Sequence, residues 1–159
     1  MAIFTKSVRL NSDFEEVWNF HSTIKGLEHL TPSWMNLEIK SIKDSSGKKI
    51  KGELVTGSQI MAKIHPFHIG SPIIWDVQIL EREKQQNSAF FKDHVSGKPF
   101  QRWVHTHTFL KQEGKTVLID QVDYKLEGLL GPFSLLCLPL FWAMFTMRQY
   151  QLRKLLDRP

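Results

Sequence analysis

GLLGPFSLLCLPLFWAMFTMRQYQLRKLLDRP, residues Gly128 to Pro159, decides the fold. From Leu129 to Met147 it runs nineteen residues without a charge, the length of a bilayer span. Pro132 and Pro139 interrupt that run, and a proline inside a helix removes a backbone hydrogen bond. Nothing upstream resembles a second span. From Arg148 the rhythm turns amphipathic, with Leu152, Leu155 and Leu156 on one side and Arg153, Lys154, Asp157 and Arg158 mostly on the other. The pattern predicts a buried core helix that emerges at a surface, in preference to a membrane anchor. Pro132 suits a first helical turn, where its missing N–H costs nothing. Pro139 predicts a kink, or a short first helix followed by a long one. Arg153, Lys154 and Arg158 lie where cations favour the helix dipole.

Working back from this stretch, the chain alternates. Thr116 to Leu126 and Gln101 to Lys111 read as strands joined by the tight turn at Gly114. Ser96-Gly97-Lys98-Pro99 is a hairpin connection. Ala89, Phe91, Asp93 and Val95 share a face of the strand before it. Ile73, Trp75, Val77 and Ile79 share a face of the one before that, with Glu81 to Asn87 as a charged turn. Leu54 to Ile64 and Leu37 to Lys43 are further strands, the former weakened at Gly57. Between His65 and Gly70 lies a loop with two histidines, where Pro66 argues against the helix a His pair at that spacing needs to hold a metal. This is a meander of antiparallel strands, the order of a strongly bent sheet.

The N-terminal part differs. Ile3 to Leu10 alternates as a strand. Ser12-Asp-Phe-Glu15 has the capping-box form and opens a helix with Phe14, Val17, Trp18 and His21 on one side. A second short helix, Ile24 to Leu30, stops before Thr31-Pro32. The fold class is therefore α+β: strand, two short helices, antiparallel meander and long C-terminal helix, in one domain spanning 1–159.

With 159 residues, eleven Phe and five Trp, the chain can bury a core and still enclose a pocket. Its 21 basic and 16 acidic residues give a net charge of +5. The positive residues are scattered apart from Lys48, Lys49 and Lys51 on a polar turn, so no nucleic-acid footprint forms. The lone Cys137 has no partner for an internal disulfide and reads as a small core residue. The opening MAIFTKSVRL lacks a signal-peptide pattern, so a cytoplasmic protein is expected.

Two-residue periodicity places Trp103, His105, His107 and Phe109 on one strand face and Leu118, Asp120, Val122, Tyr124 and Leu126 on one face of the next. With Phe91, Asp93 and Val95 they face inward, and cross-strand neighbours then meet or nearly meet. Buried ionisable groups need partners. The cluster has three readings. It stiffens the sheet as a satisfied network, or it forms the polar end of a ligand cavity. In the third it acts chemically, with His105 or His107 as general base oriented by Asp120 or Asp93 and Tyr124 donating to an oxyanion. A metal held by His105, His107 and one aspartate belongs to that third reading, and the signal from His-x-His alone calls for no metal and no cofactor.

Six pieces carry a resemblance: FEEVWNFHS, GLEHLTP, FFKDH, PFQRWVHTHTF, TVLIDQVDY and MFTMRQYQLRKLL. In this order they resemble the START/Bet v 1-like helix-grip superfamily (SRPBCC), in particular its small ligand-binding proteins from bacteria and archaea. The resemblance implies a curved antiparallel sheet wrapped around the C-terminal helix, with a cavity between them for a hydrophobic or amphipathic molecule. It places Asp93, Trp103, His105, His107, Asp120 and Tyr124 on recurrent positions. Val95 and Lys98-Pro99 depart from a Gln and a Gly-Pro found there in those relatives. The expected lining is Trp34, Phe67, Trp75, Phe91, Trp103, Phe109, Leu118 and Val122 around those polar groups. A binding module is the leading expectation, with little or no enzymatic activity. A polyketide cyclase-like enzyme using a His–Asp pair and a lipid-transfer or membrane-surface protein are the alternatives.

Overall fold

The computed structural model describes residues 1–157. Arg158, expected among the cations near the helix end, lies outside the described residues. The elements run β1 (Ala2–Leu10), α1 (Phe14–His21), α2 (Ile24–Leu30), β2 (Glu38–Lys43), β3 (Gln59–Ile64), β4 (Ile73–Lys84), β5 (Ser88–Ser96), β6 (Phe100–Gln112), β7 (Lys115–Leu126) and α3 (Leu138–Leu156). A 3₁₀ segment, Gly128–Cys137, leads into α3. All seven strands form one antiparallel sheet in the order β1-β7-β6-β5-β4-β3-β2. Register shifts in β4 between Ile79 and Glu81, and in β6 between Phe100 and Arg102, mark bulges that bend the sheet around α3.

The start of α1 departs from the capping-box expectation. Asp13 is the cap, accepting a hydrogen bond from Glu15 N at 2.8 Å, while the Ser12 hydroxyl donates to Asp157 Oδ1 at 3.1 Å. Asn11 N reaches the same Asp157 oxygen at 2.7 Å, so the end of β1 is tied to the end of α3. The apolar side of α1 is as expected, with Phe14, Val17, Trp18 and His21 buried.

Two strand boundaries also shift. Leu54 to Ser58 is not strand: Gly57 takes φ +87°, and its N–H donates to Ile79 O at 2.8 Å. A side chain at Gly57 would bring its Cβ to 2.7 Å from Ser45 Cβ. In the other direction β4 continues through the expected turn to Lys84. Its charged residues pair on the outer face, Lys92 Nζ lying 3.0 Å from Glu81 Oε2.

In α3, Pro139 sits in the first turn, so the second of the two proline alternatives holds: a 3₁₀ segment and then one long helix. Phe141, Phe145, Gln149, Leu152 and Leu156 form its buried stripe. The apolar first half, however, is not a buried core element. Only 22% of its most apolar stretch is buried; Leu129 is 94% exposed and Leu136 75%. The reason is geometric, since a helix presents one stripe to a sheet and no second layer covers the other. The 3₁₀ segment is pinned over the sheet end by Tyr124, whose hydroxyl donates to Ser134 O at 3.0 Å, and by Leu126 N, which donates to Ser134 Oγ at 3.1 Å. Its leucines then point away. The run from Gly128 to Leu156 is long and apolar enough to cross a membrane.

Candidate functional site

Beneath α3 the apolar core divides. Trp18, Phe109, Leu118 and Leu152 pack under α1 and the far end of α3, while Trp103, Tyr124, Phe141 and Phe145 pack under its near end. Between these two clusters the inner faces of β5, β6 and β7 bring Asp93, His105, His107 and Asp120 together. Strand register dictates the meeting, because Asp93 is opposite His105 and His107 is opposite Asp120.

The four side chains form a box. His105 Nε2 lies 3.1 Å from Asp120 Oδ1, and His107 Nδ1 lies 2.8 Å from the same oxygen. The other two nitrogens turn to Asp93 Oδ2, at 4.0 Å for His105 Nδ1 and 3.5 Å for His107 Nε2. The imidazole centroids are 3.8 Å apart, and Phe91 stacks on His107 at 4.1 Å. His107 Nδ1 has no well-formed hydrogen bond despite its short approach to Asp120.

Electrostatics separate the two histidines. Burial, and then the charge of His107, push His105 below the usual imidazole range. Burial also depresses His107, but the close approach of the Asp120 and Asp93 carboxylates outweighs it and raises the ring above its ordinary value. Burial raises the Asp120 carboxyl, yet bonds from both histidines hold it well below the ordinary carboxylate value. Arg148 of α3 faces both aspartates; burial lowers its guanidinium, and Asp120 and Asp93 oppose that shift. The two rings are thus pushed in opposite directions, although they share the same carboxylate partners.

Asp93, His105 and His107 line a partly open cavity of about 130 Å³ between the sheet, α2 and α3. Trp75, Phe91 and Trp103 line it too. Phe109, Leu118, Val122 and Tyr124 do not: all four are fully packed in the core, with Tyr124 turned to Ser134 and away from the histidines. Asp120 stands behind the two rings, outside the lining. Trp34 and Phe67 stack on each other, centroids 4.8 Å apart, outside the cavity. The sequence reading missed Met144, Phe145 and Arg148 of α3, and the small-to-medium residues Ile60, Ala62 and Ile64 of β3. Met144, Phe145 and Arg148 lie at helical spacing on the side that continues to Leu152, a signal that was available in the sequence.

A curved antiparallel sheet closed by a long C-terminal helix, with two short helices after the first strand, is the helix-grip fold of START and Bet v 1-like proteins. Solved structures agree. A Chromobacterium violaceum protein aligns over 100% of both chains with a TM-score of 0.69 and 12% identity. A START superfamily protein from Mycobacterium smegmatis covers 96% of this chain and 98% of its own, with a TM-score of 0.62 and 14% identity. Ginseng major latex-like protein 151 from Panax ginseng covers 99% and 98%, with a TM-score of 0.62 and 15% identity. At these identities the likeness establishes the fold. No family model matches the sequence, and no curated protein does.

Proposed function

We propose that the protein binds a small amphipathic ligand in the cavity between the sheet and α3. The observation that carries this is a cavity with an apolar wall and one polar end, made by Asp93, His105, His107 and Arg148. A cavity of about 130 Å³ holds roughly ten waters when each needs about 10–15 Å³ of such space. A guest of one or two rings fits that space better than a two-chain lipid. The apolar body rests on Trp75, Trp103 and the β3 side chains, and the polar group meets the box. Anilinonaphthalene sulfonate, an amphipathic anion that fluoresces in apolar surroundings, tests this. One equivalent binds per chain, and Ala62→Phe or Met144→Trp, which fill the cavity from opposite walls, weakens binding by at least about tenfold. Unchanged affinity in both folded variants contradicts the proposal.

A second reading, docking on a lipid surface, is favoured by the exposed apolar run. Leu135, Leu136, Leu140 and Trp142 face outward at the end of the sheet where β7 finishes. The loop between β3 and β4 adds exposed Phe67 and Ile69 at that same end. Lys6 Nζ lies 4.2 Å over the Trp142 ring, an aromatic–cation pairing suited to an anionic interface. Flotation with vesicles containing anionic phosphatidylglycerol carries the protein upward, and Leu135→Glu/Leu136→Glu leaves it at the bottom. Wild-type protein that stays at the bottom contradicts this reading.

A further inference from the structure

We infer that Asp93, His105 and His107 form a divalent transition-metal site open to the cavity, suited to an ion of the Zn²⁺ or Fe²⁺ type. Three observations carry it. First, the donors converge: one ligand atom from each residue lies within 4.8 Å of the other two, and all three residues are buried. A metal at about 2.0–2.2 Å from each donor holds the donors about 3–3.5 Å apart. His107 Nε2 and Asp93 Oδ2 already stand at 3.5 Å, and a ring movement of about an ångström brings His105 Nδ1, now 4.0 Å from Asp93 Oδ2, into the same shell.

Second, the backs of both rings are held. Asp120 Oδ1 sits at 3.1 Å from His105 Nε2 and 2.8 Å from His107 Nδ1, the nitrogens that point away from the cavity. A carboxylate on the far nitrogen of a histidine is the usual outer-shell partner of a metal ligand, fixing its tautomer and orientation. One aspartate does this here for both rings.

Third, the front atoms are only loosely engaged: Asp93 Oδ2 meets His105 Nδ1 at 4.0 Å and His107 Nε2 at 3.5 Å, although Asp93 is 8% exposed, His105 7% and His107 4%. Buried donors this loosely paired and aimed at one point leave a place that a cation can fill more tightly. Two imidazoles and one carboxylate on one side of an ion match zinc or non-haem iron, and leave positions free on the cavity side.

Charge then narrows the guest, and this step rests on the cavity-binding reading. Two carboxylates, neutral imidazoles, the Arg148 guanidinium and a divalent ion leave the site with one net positive charge. A carboxylate or enolised carbonyl on the guest offsets that charge and completes the ion's shell.

The experiment is titration of chelator-treated full-length protein with Co²⁺ and Zn²⁺ without any organic ligand, so that it fails or succeeds independently of guest binding. One Co²⁺ binds per chain with a visible absorption band, and either ion raises the melting temperature. His105→Gln and His107→Gln each weaken binding by at least about a hundredfold, and Asp120→Asn by about 10–100-fold through lost orientation. His65→Ala/His68→Ala, which removes the loop histidines with centroids 5.2 Å apart, changes nothing. In the wild type, Co²⁺ shifts the imidazole NMR signals of His105 and His107, a readout that survives if a variant fails to fold. Absence of a stoichiometric ion, or shifts at His65 and His68 in place of the buried pair, overturns the inference.

Discussion

His21 shows what burial does to one titratable side chain. Its Nδ1–H donates to Val17 O at 2.9 Å, inside the same helix, and the ring packs on Phe109 at 5.1 Å. Burial first, then the charges of His107 and Arg148, lower its pKa from 6.5 to about 3, against the opposing bond to Val17 and the charge of Asp120. Below pH 6.5 the unfolded chain takes up a proton that folded His21 refuses until about pH 3, so stability is full above 6.5 and falls as the pH drops. The slope is about 1.4 kcal/mol per pH unit inside that window. Thermal melts from pH 7 to pH 4 show this decline in the wild type and a shallower one in His21→Gln. Equal slopes contradict the assignment. The sequence placed His21 on the apolar side of α1, but its approach to the box required α1 to lie across β6, which periodicity does not encode.

At the scale of elements, α3 carries two faces with opposite consequences. Phe145 is 1% exposed and meets Phe4 at 5.1 Å and His105 at 5.3 Å. Phe145→Ala costs about 3–5 kcal/mol of stability, as a large cavity in a packed core does. Leu140→Ser, on the outer face of the same helix at 53% exposure, costs less than about 0.5 kcal/mol. Denaturant titrations of the two variants measure the contrast, and equal losses contradict a single buried stripe. The sequence made the helix, the role of Pro139 and the alternation of β5, β6 and β7 legible, because each is a local pattern. It did not reveal that the apolar first half lies open. Composition reports how apolar a segment is, while exposure depends on whether another layer covers it. Gly97 illustrates the same limit. It read as a turn residue, yet a Cβ there would come within 2.5 Å of Trp75 Cδ1, and the indole N–H donates across the hairpin to Lys98 O at 3.0 Å.

For the whole molecule, function depends on what the sheet and α3 leave between them. Alternation in the sequence predicts that Asp93, His105, His107, Asp120 and Tyr124 meet or nearly meet, since side chains two apart share a face and adjacent strands oppose them; the first four do, while Tyr124 turns to Ser134. It could not separate lining from core. Val122 and Tyr124 share that inward face, yet they lie under Phe141 and Phe145 and are sealed, with Tyr124 and Phe141 centroids 4.5 Å apart. Which inward residues meet space depends on where α3 sits. The most direct measurement is an isotope-filtered NOE spectrum of the anilinonaphthalene sulfonate complex, recorded with labelled Ala and Met methyls and assigned Leu methyls. The account predicts contacts from the bound rings to Ala62 and Met144, on the two walls of the cavity. Contacts confined to Leu135 and Leu136 on the outer surface would contradict it.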